Sequence, residues 1–434
     1  MYRNFKETLR QWEADGAKKP LLVVGARQTG KTYIIEEFLK ETYPDSFCIN
    51  LERQNEYISI FEGDLTPQVL IKNMEQLAGR RIEPGTPIFI DEIQQSERAV
   101  TALKYFCEDP EPYRVIGAGS LLGVKLARFQ SSFPVGKVMI RYMYPMTFFE
   151  FLQAYGEELL MEGIREHYKK RTPMPASIHA KALRLYNEYL LTGGMPEAIH
   201  NHIERGLEPA RDRKFFEDLI TAYFADMTRY TLSPAEGVKI METYNSIPRQ
   251  LSKENPKFKY KDIRPYANKR DFSSSLDWLK TSGMVYKVNR LDEVMLPLKA
   301  YISLSGEKVY LSDVGILSYL TGLKLHDLSA DVPNIYKGAV TENYVVQQLI
   351  SCGCDIFYYK PSESMEIDII TEINGKIIPI EIKSGRHKRS VSLKNYREKY
   401  KPELAIRLSE NNFGYDDGLF SVPLYAAVCI PNPR

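Results

Sequence analysis

Short apolar runs alternate with amphipathic stretches over the first third of the chain. Residues 21–24, 47–51, 88–90 and 115–118 read as strands, with helix-period segments between them. Brief, wholly apolar strands separated by helices predict a parallel sheet covered on both faces, the α/β class, with ligand bound at the carboxyl ends of the strands. Residues 156–232 keep apolar positions at helical spacing and read as a helical lid or connector, interrupted at Gly193-Gly194-Met195-Pro196. Beyond residue 233 the period changes again. Helical segments at 240–250, 260–266 and 273–282, then a hairpin at 284–290 and 294–301, follow the order of a winged helix. The last hundred residues open with a helix near 338–346 and continue with strands at 356–359, 366–370 and 378–383. The pattern thus predicts segments 1–155, 156–232, 233–330 and 331–434.

The turn after the first strand has a specific chemistry. Gly25-Ala26-Arg27-Gln28-Thr29-Gly30-Lys31-Thr32 matches G-x-x-x-x-G-K-[ST]. Such a loop wraps backbone N–H groups around phosphates, its lysine reaches the β and γ oxygens and its hydroxyl binds Mg²⁺. The helix that follows, predicted over 32–40, adds the positive end of its dipole. The strand 87–90 ends in Asp91-Glu92, a Walker B pattern. Asp91 is expected to hold Mg²⁺ through its water shell, and Glu92 to polarise the water that attacks the γ-phosphate. Ser120, at the end of the strand that starts near 113, is placed to offer a hydroxyl to the γ-phosphate. ATP and Mg²⁺ are the expected cofactors.

A second constellation lies near the carboxyl terminus. Strand side chains alternate, so Glu366 and Asp368 share one face, as do Glu381 and Lys383. Two adjacent strands would then present Asp368, Glu381 and Lys383 together, with Glu342 close by on a helix. Mg²⁺ needs only one or two carboxylates beside substrate phosphate, and a neighbouring lysine can orient the attacking water. This set predicts phosphodiester hydrolysis, with Glu342, Asp368 and Glu381 as metal ligands and His387-Lys388-Arg389 as contacts to backbone phosphates. The run Trp278-Leu279-Lys280, preceded by Lys269-Arg270, is the candidate for a helix in a DNA major groove.

Composition narrows the setting. Of the 434 residues, 44% are apolar and 26% charged, and the net charge is only +2, so a nucleic-acid surface has to be local. A chain of this length is expected to form roughly two to four domains. The polar amino terminus and the lack of a membrane-length apolar run predict a cytosolic protein without membrane contact. Five scattered cysteines fit reduced thiols. Cys352-Gly353-Cys354 and His200-Asn201-His202 lack a second pair at zinc spacing and read as structural.

Taken together, GARQTGKT at 25–32, IDEIQ at 90–94, GAGSLLG at 117–123, YPMTFFEFL at 144–152, TGGMPEA at 192–198, KVYLSDVGIL at 308–317 and TENYVVQQL at 341–349 resemble prokaryotic AAA-superfamily ATP-binding proteins carrying a carboxyl-terminal region of the DUF4143 type. EIDII at 366–370 and IEIKSG at 380–385 resemble the PD-(D/E)XK nuclease core. The resemblance implies nucleotide and Mg²⁺ contacts for Lys31 and Thr32, Walker B roles for Asp91 and Glu92, and a sensor role for Ser120. It also implies a nuclease triad of Asp368, Glu381 and Lys383, with Glu342 accessory, DNA as a partner, and assembly into a homo-oligomer. Where relatives often have Gly-Arg, this chain has Gly136-Lys137, which leaves Arg128 and Arg141 as arginine-finger candidates.

Overall fold

The computed structural model describes residues 1–111, 113–126, 134, 136–206, 209–231, 233–253, 256–329, 335–362, 365–385 and 391–431. They form two compact units, Met1–Tyr144 with Thr281–Gly283, and Pro145–Lys280 with Met284–Arg434.

The first unit is built on five parallel strands: β1 (Leu21–Val24), β2 (Phe47–Asn50), β3 (Ile88–Asp91), β4 (Val115–Gly119) and β5 (Met139–Tyr142), in spatial order β2-β3-β4-β1-β5. β1, β3 and β4 are buried along their whole length, which is why they read as unbroken apolar runs rather than alternating ones. Two apolar layers enclose them. Leu22, Ile88, Ile90 and Val115 pack on one side with Leu70, Val100 and Leu103, while Leu21, Val23, Phe89 and Ile116 pack on the other with Leu9, Ile34 and Phe38. β5 was not among the expected strands. Its residues are half-buried or exposed, so it lacks the apolar signature of the other four.

The order places β1 between β4 and β5, with β3 next to β4. The loop after β1 and the Asp91-Glu92 pair after β3 therefore emerge at the same, carboxyl-terminal edge of the sheet, as parallel strands require. The helix after β1 runs Lys31–Thr42, a little longer at each end than expected.

The second unit holds four helices over the stretch expected to be helical, Glu158–Lys170, Ala176–Thr192, Pro196–Arg205 and Pro209–Arg229. Helix Pro234–Leu251 follows. The expected helix at 260–266 is a single 3-10 turn, Tyr260–Asp262, and helix Lys269–Thr281 comes next. The hairpin consists of β6 (Val285–Leu291) and β7 (Ile302–Leu311), so its second strand lies later than 294–301. Residues 292–301 form the connection instead, with a 3-10 turn over Leu298–Tyr301.

β6 also pairs in parallel with β8 (Ile356–Ser362). The hairpin thereby becomes one end of an eight-stranded mixed sheet. Its remaining strands are β9 (Met365–Ile373), β10 (Lys376–Ile382), β11 (Ala405–Ser409), β12 (Gly414–Asp416) and β13 (Leu419–Pro423), in spatial order β12-β13-β11-β10-β9-β8-β6-β7. β9 and β10, the carriers of the carboxylates, are interior strands. Helix Ile335–Ser351 packs against the sheet near β7 and β8.

Candidate functional site

In the first unit the loop at 25–32 is held from several sides. Gly25 has φ 156°, and a Cβ there would sit 2.2 Å from the Met143 carbonyl oxygen, a distance no side chain tolerates. The Thr29 hydroxyl donates to the Ala26 carbonyl at 3.0 Å, and the buried Arg3 guanidinium donates to the Thr29 carbonyl at 2.6 Å and to that of Tyr144 at 2.7 Å. Gln28 and Gly30 both have positive φ, 64° and 87°. Gly30 supplies no side-chain cap to helix Lys31–Thr42, so that helix keeps its first-turn N–H groups for an anion.

Lys31 is buried, and its ammonium donates to the carbonyls of Gly25 (3.0 Å) and Ala26 (2.8 Å), both within its own loop. Burial pushes the amine down to about 8, although Glu92 and Asp91 pull it upward. Thr32 Oγ1 donates to Asp91 Oδ2 at 3.0 Å, and Asn50 Nδ2 donates to the same oxygen at 2.8 Å. Burial holds the Asp91 carboxyl above its ordinary range despite these donors. Glu92 sits at φ 49°, in the left-handed region, and accepts a short hydrogen bond from Gln94 Nε2. Its carboxyl too is raised, chiefly by burial. Gly119 leaves room for this arrangement, since a Cβ there would lie 2.0 Å from Gln94 Oε1.

A cavity of about 510 Å³ opens beside this cluster, lined by Thr32, Asn50, Arg53, Asp91 and Glu92 among others. Thr32, Asp91 and Glu92 line this one cavity. Ser120 is buried directly after β4. Ala26 is buried, whereas Arg27 is half-buried and Gln28 exposed. Arg3, Asn50 and Gln94 were not expected from the sequence. Asn50 carried a signal as the polar residue at the carboxyl end of the strand beside β3, and Gln94 as the last residue of the IDEIQ motif; Arg3 carried none. Of the finger candidates, Arg141 is exposed on β5 and Arg128 lies outside the described residues; Lys137 pairs with Glu108 at 3.0 Å.

In the second unit Glu342, Asp368, Glu381 and Lys383 line one cleft of about 480 Å³ together with Glu366 and Lys308. The Lys383 ammonium lies 2.6 Å from Glu381 Oε1, and the Ile382 backbone N–H donates to Asp368 Oδ2 at 2.7 Å. Burial first, and Glu342 second, push the Asp368 carboxyl up to about 7.

Lys308 opens the KVYLSDVGIL motif and was not among the expected site residues. Its ammonium, on β7, is fully enclosed and lies 2.8 Å from both Glu342 Oε1 and Glu366 Oε1. Burial alone would lower its pKa, but Glu342, Tyr310, Glu366 and Asp368 drive it well above the ordinary lysine range. The Tyr310 hydroxyl donates to Glu342 as well, and Lys360 reaches Glu366 at 3.1 Å. A lysine amid apolar strand residues was the available signal.

One expectation changes. Trp278 and Leu279 are buried, and Trp278 Nε1 points to the Tyr230 carbonyl at 3.4 Å, so neither can face a DNA groove. The exposed positions of that helix include Lys269, Arg270 and Lys280. His387, Lys388 and Arg389 lie outside the described residues. His202 is buried against Glu188 while His200 is exposed, and all five cysteines are free thiols. Among the described residues no group of three or more His, Cys, Asp and Glu side chains is arranged to hold a metal, and no helix is long and apolar enough to cross a membrane.

The loop at 25–32 and the Asp91-Glu92 pair, brought to one edge of the parallel sheet, have the geometry of a nucleotide-phosphate site. Residues 17–152 match the family described as AAA domain, residues 183–327 match a domain of unknown function (DUF8612), and residues 337–427 match another (DUF4143). No curated protein matches the chain. Among solved structures, the chain is similar to the Walker-type ATPase PABY2304 of Pyrococcus abyssi, at 14% identity and TM-score 0.44, over 73% of this chain and 95% of that one. It is also similar to the ORC2 protein of Aeropyrum pernix, at 10% identity and TM-score 0.37, over 75% and 93%.

Proposed function

We propose that the chain is a Mg²⁺-dependent ATPase whose nucleotide state controls a nuclease-like carboxyl-terminal module that engages DNA. The observation that carries the first half is the 3.0 Å contact between Thr32 Oγ1 and Asp91 Oδ2, with the Lys31 ammonium held in the adjoining loop. Those two oxygens, one of them on a carboxyl that burial raises, suit a hard divalent ion. Mg²⁺, when bound, neutralises charge on the β and γ phosphates. Lys31 leaves its loop carbonyls for the phosphate oxygens. Glu92 accepts a proton from the attacking water as the bond from the γ-phosphorus to the bridging oxygen breaks, and ADP and phosphate leave.

Lys31→Ala is expected to abolish ATP binding, and Glu92→Gln to keep affinity while turnover falls by about 10²-fold or more. Equilibrium nucleotide binding and steady-state phosphate release check both. Intact affinity in Lys31→Ala would remove the loop from its role.

For the second unit, the shared cleft of Asp368, Glu381 and Lys383 supports phosphodiester hydrolysis by a nuclease-like fold. Asp368 and Glu381 supply oxygen ligands, and Lys383 lies where it can orient water. A second reading, a DNA-binding platform that does not cut, is favoured by Lys308, whose ammonium already engages both Glu342 and Glu366. Cleavage of linear, supercoiled, single-stranded and branched DNA with Mg²⁺ or Mn²⁺, abolished in both Asp368→Ala and Lys383→Ala, selects the first reading. Binding without cleavage selects the second.

A further inference from the structure

The rim of the carboxylate cleft continues into a basic segment with an unusual aromatic residue. Ser252, Lys253 and Pro256 line the cleft beside Lys308 and Lys383. Just beyond, the Phe258 N–H donates to the Glu307 carbonyl at 2.8 Å and the Tyr260 hydroxyl to the Glu307 side chain at 2.9 Å, which fastens this stretch along β7. Lys253 pairs with Asp262 at 2.8 Å and Arg249 donates to the Asp262 carbonyl, so the turn Tyr260–Asp262 folds back to the cleft rim. Tyr266 follows four residues later, at most about 14 Å of chain from Asp262.

Tyr266 is 98% exposed and has φ 63°. Both features are costly for a tyrosine. Its ring stands in water, and a left-handed backbone disfavours any residue with a Cβ by roughly 1–2 kcal/mol. The ring, 98% exposed, forms no ring contact with any described residue. Around it Lys261, Lys269 and Arg270 are exposed, and none has a carboxylate within ion-pair distance among the described residues. The acids nearby are engaged elsewhere: Asp262 with Lys253, Glu242 with Arg264, and Asp271 with the Asn268 amide. A local surplus of positive charge remains in a chain whose net charge is only +2.

We infer that Lys253 and residues 256–270 form the track by which single-stranded DNA enters the carboxylate cleft, with Tyr266 as a platform for one unstacked base and Lys261, Lys269 and Arg270 as phosphate contacts. The inference rests on the DNA reading of this module and specifies the form of its ligand. An exposed ring flanked by free cations fits a strand with splayed bases, because every base offers a π-face and every step a phosphate. A duplex hides its base faces, so Tyr266 has nothing to stack on there.

The test is fluorescence anisotropy of the full chain with a labelled DNA oligonucleotide, single-stranded or in duplex, in EDTA so that no cutting intervenes. Wild type is expected to prefer the single strand, and Tyr266→Ala to weaken it about tenfold while duplex binding stays the same. Tyr266→Gly relieves the backbone and removes the ring, so it should bind as poorly as Tyr266→Ala while unfolding no earlier than wild type. Tyr266→Phe should bind as wild type. The double variant Lys261→Ala with Lys269→Ala should flatten the log–log salt dependence by about 1.4, roughly 0.7 for each phosphate no longer neutralised. Unchanged single-strand affinity in Tyr266→Ala, tighter binding of duplex, or tighter binding of an RNA strand of the same sequence would overturn the track and leave the DNA-module reading standing. Absence of binding to every nucleic acid would overturn both.

Discussion

Lys31 donates to the carbonyls of Gly25 and Ala26, so the cation that phosphate requires is stored inside its own loop. The storage has a pH signature. In the resting protein burial brings the Lys31 amine down to about 8. Contact with phosphate favours the charged form, so the value in the ATP complex is higher. Affinity is therefore full below pH 8 and declines as pH rises above it, because binding then requires proton uptake. ATP titrations from pH 7 to pH 9.5 should show Kd rising by up to about tenfold per unit above pH 8. A flat profile would mean that Lys31 stays charged up to pH 9.5 and that its burial does not lower the amine. Glu92 shows related restraint, since its left-handed backbone and the Gln94 hydrogen bond fix the carboxylate before substrate arrives. At Lys308 the chain places a buried cation between Glu342 and Glu366, while Lys383 pairs with Glu381 in the same cleft.

At the scale of elements, helix Ile335–Ser351 links the cleft to the interior of the second unit. Glu342 reaches the cleft. Asn343 bonds both the N–H and the carbonyl of Leu311, Gln347 accepts from Val314 N–H, and Gln348 accepts from Phe148 N–H. Asp313, fully buried before helix Val314–Thr321, accepts from the N–H groups of Gly194 (2.6 Å) and Ile316 (3.2 Å). Gly193 is required there, because a Cβ would lie 2.2 Å from Asp313 Oδ1. Asp313→Ala leaves these donors without a partner in a closed interior, and each buried unsatisfied group costs about 1–3 kcal/mol. We expect a loss of about 3 kcal/mol or more, measured as a lowered urea midpoint for the unfolding of the second unit. A change under 0.5 kcal/mol would show that the junction rearranges freely. Much of this was legible in part. The apolar runs of β1, β3 and β4 announced buried parallel strands, and the period-2 spacing put Asp368 and Glu381 on strands that meet. β5 was not legible because its exposed residues carry no pattern. The pairing of β6 with β8 depends on contacts between residues far apart in sequence, which local periodicity does not encode. TGGMPEA and KVYLSDVGIL were visible as motifs, whereas their meeting at Gly194 and Asp313 required tertiary packing.

For the whole molecule, each unit brings together one set of groups suited to phosphate chemistry: Lys31, Thr32, Asp91 and Glu92 in the first, and Asp368, Glu381 and Lys383 in the second. A single chain bearing both has a clear use if occupancy of one biases the other, which is a coupling free energy and acts in both directions. Such coupling requires that DNA alter ATP affinity by the same factor by which ATP alters DNA affinity. Glu92→Gln provides the trapped ATP state and Lys31→Ala the empty one. The decisive measurement is the affinity of the full chain for a single-stranded oligonucleotide with ATP, with ADP and without nucleotide, in these two variants. The account predicts a change of about tenfold between the ATP-bound and nucleotide-free states of Glu92→Gln, and none in Lys31→Ala. Equal affinity in every state of Glu92→Gln, with ATP demonstrably bound, would contradict it.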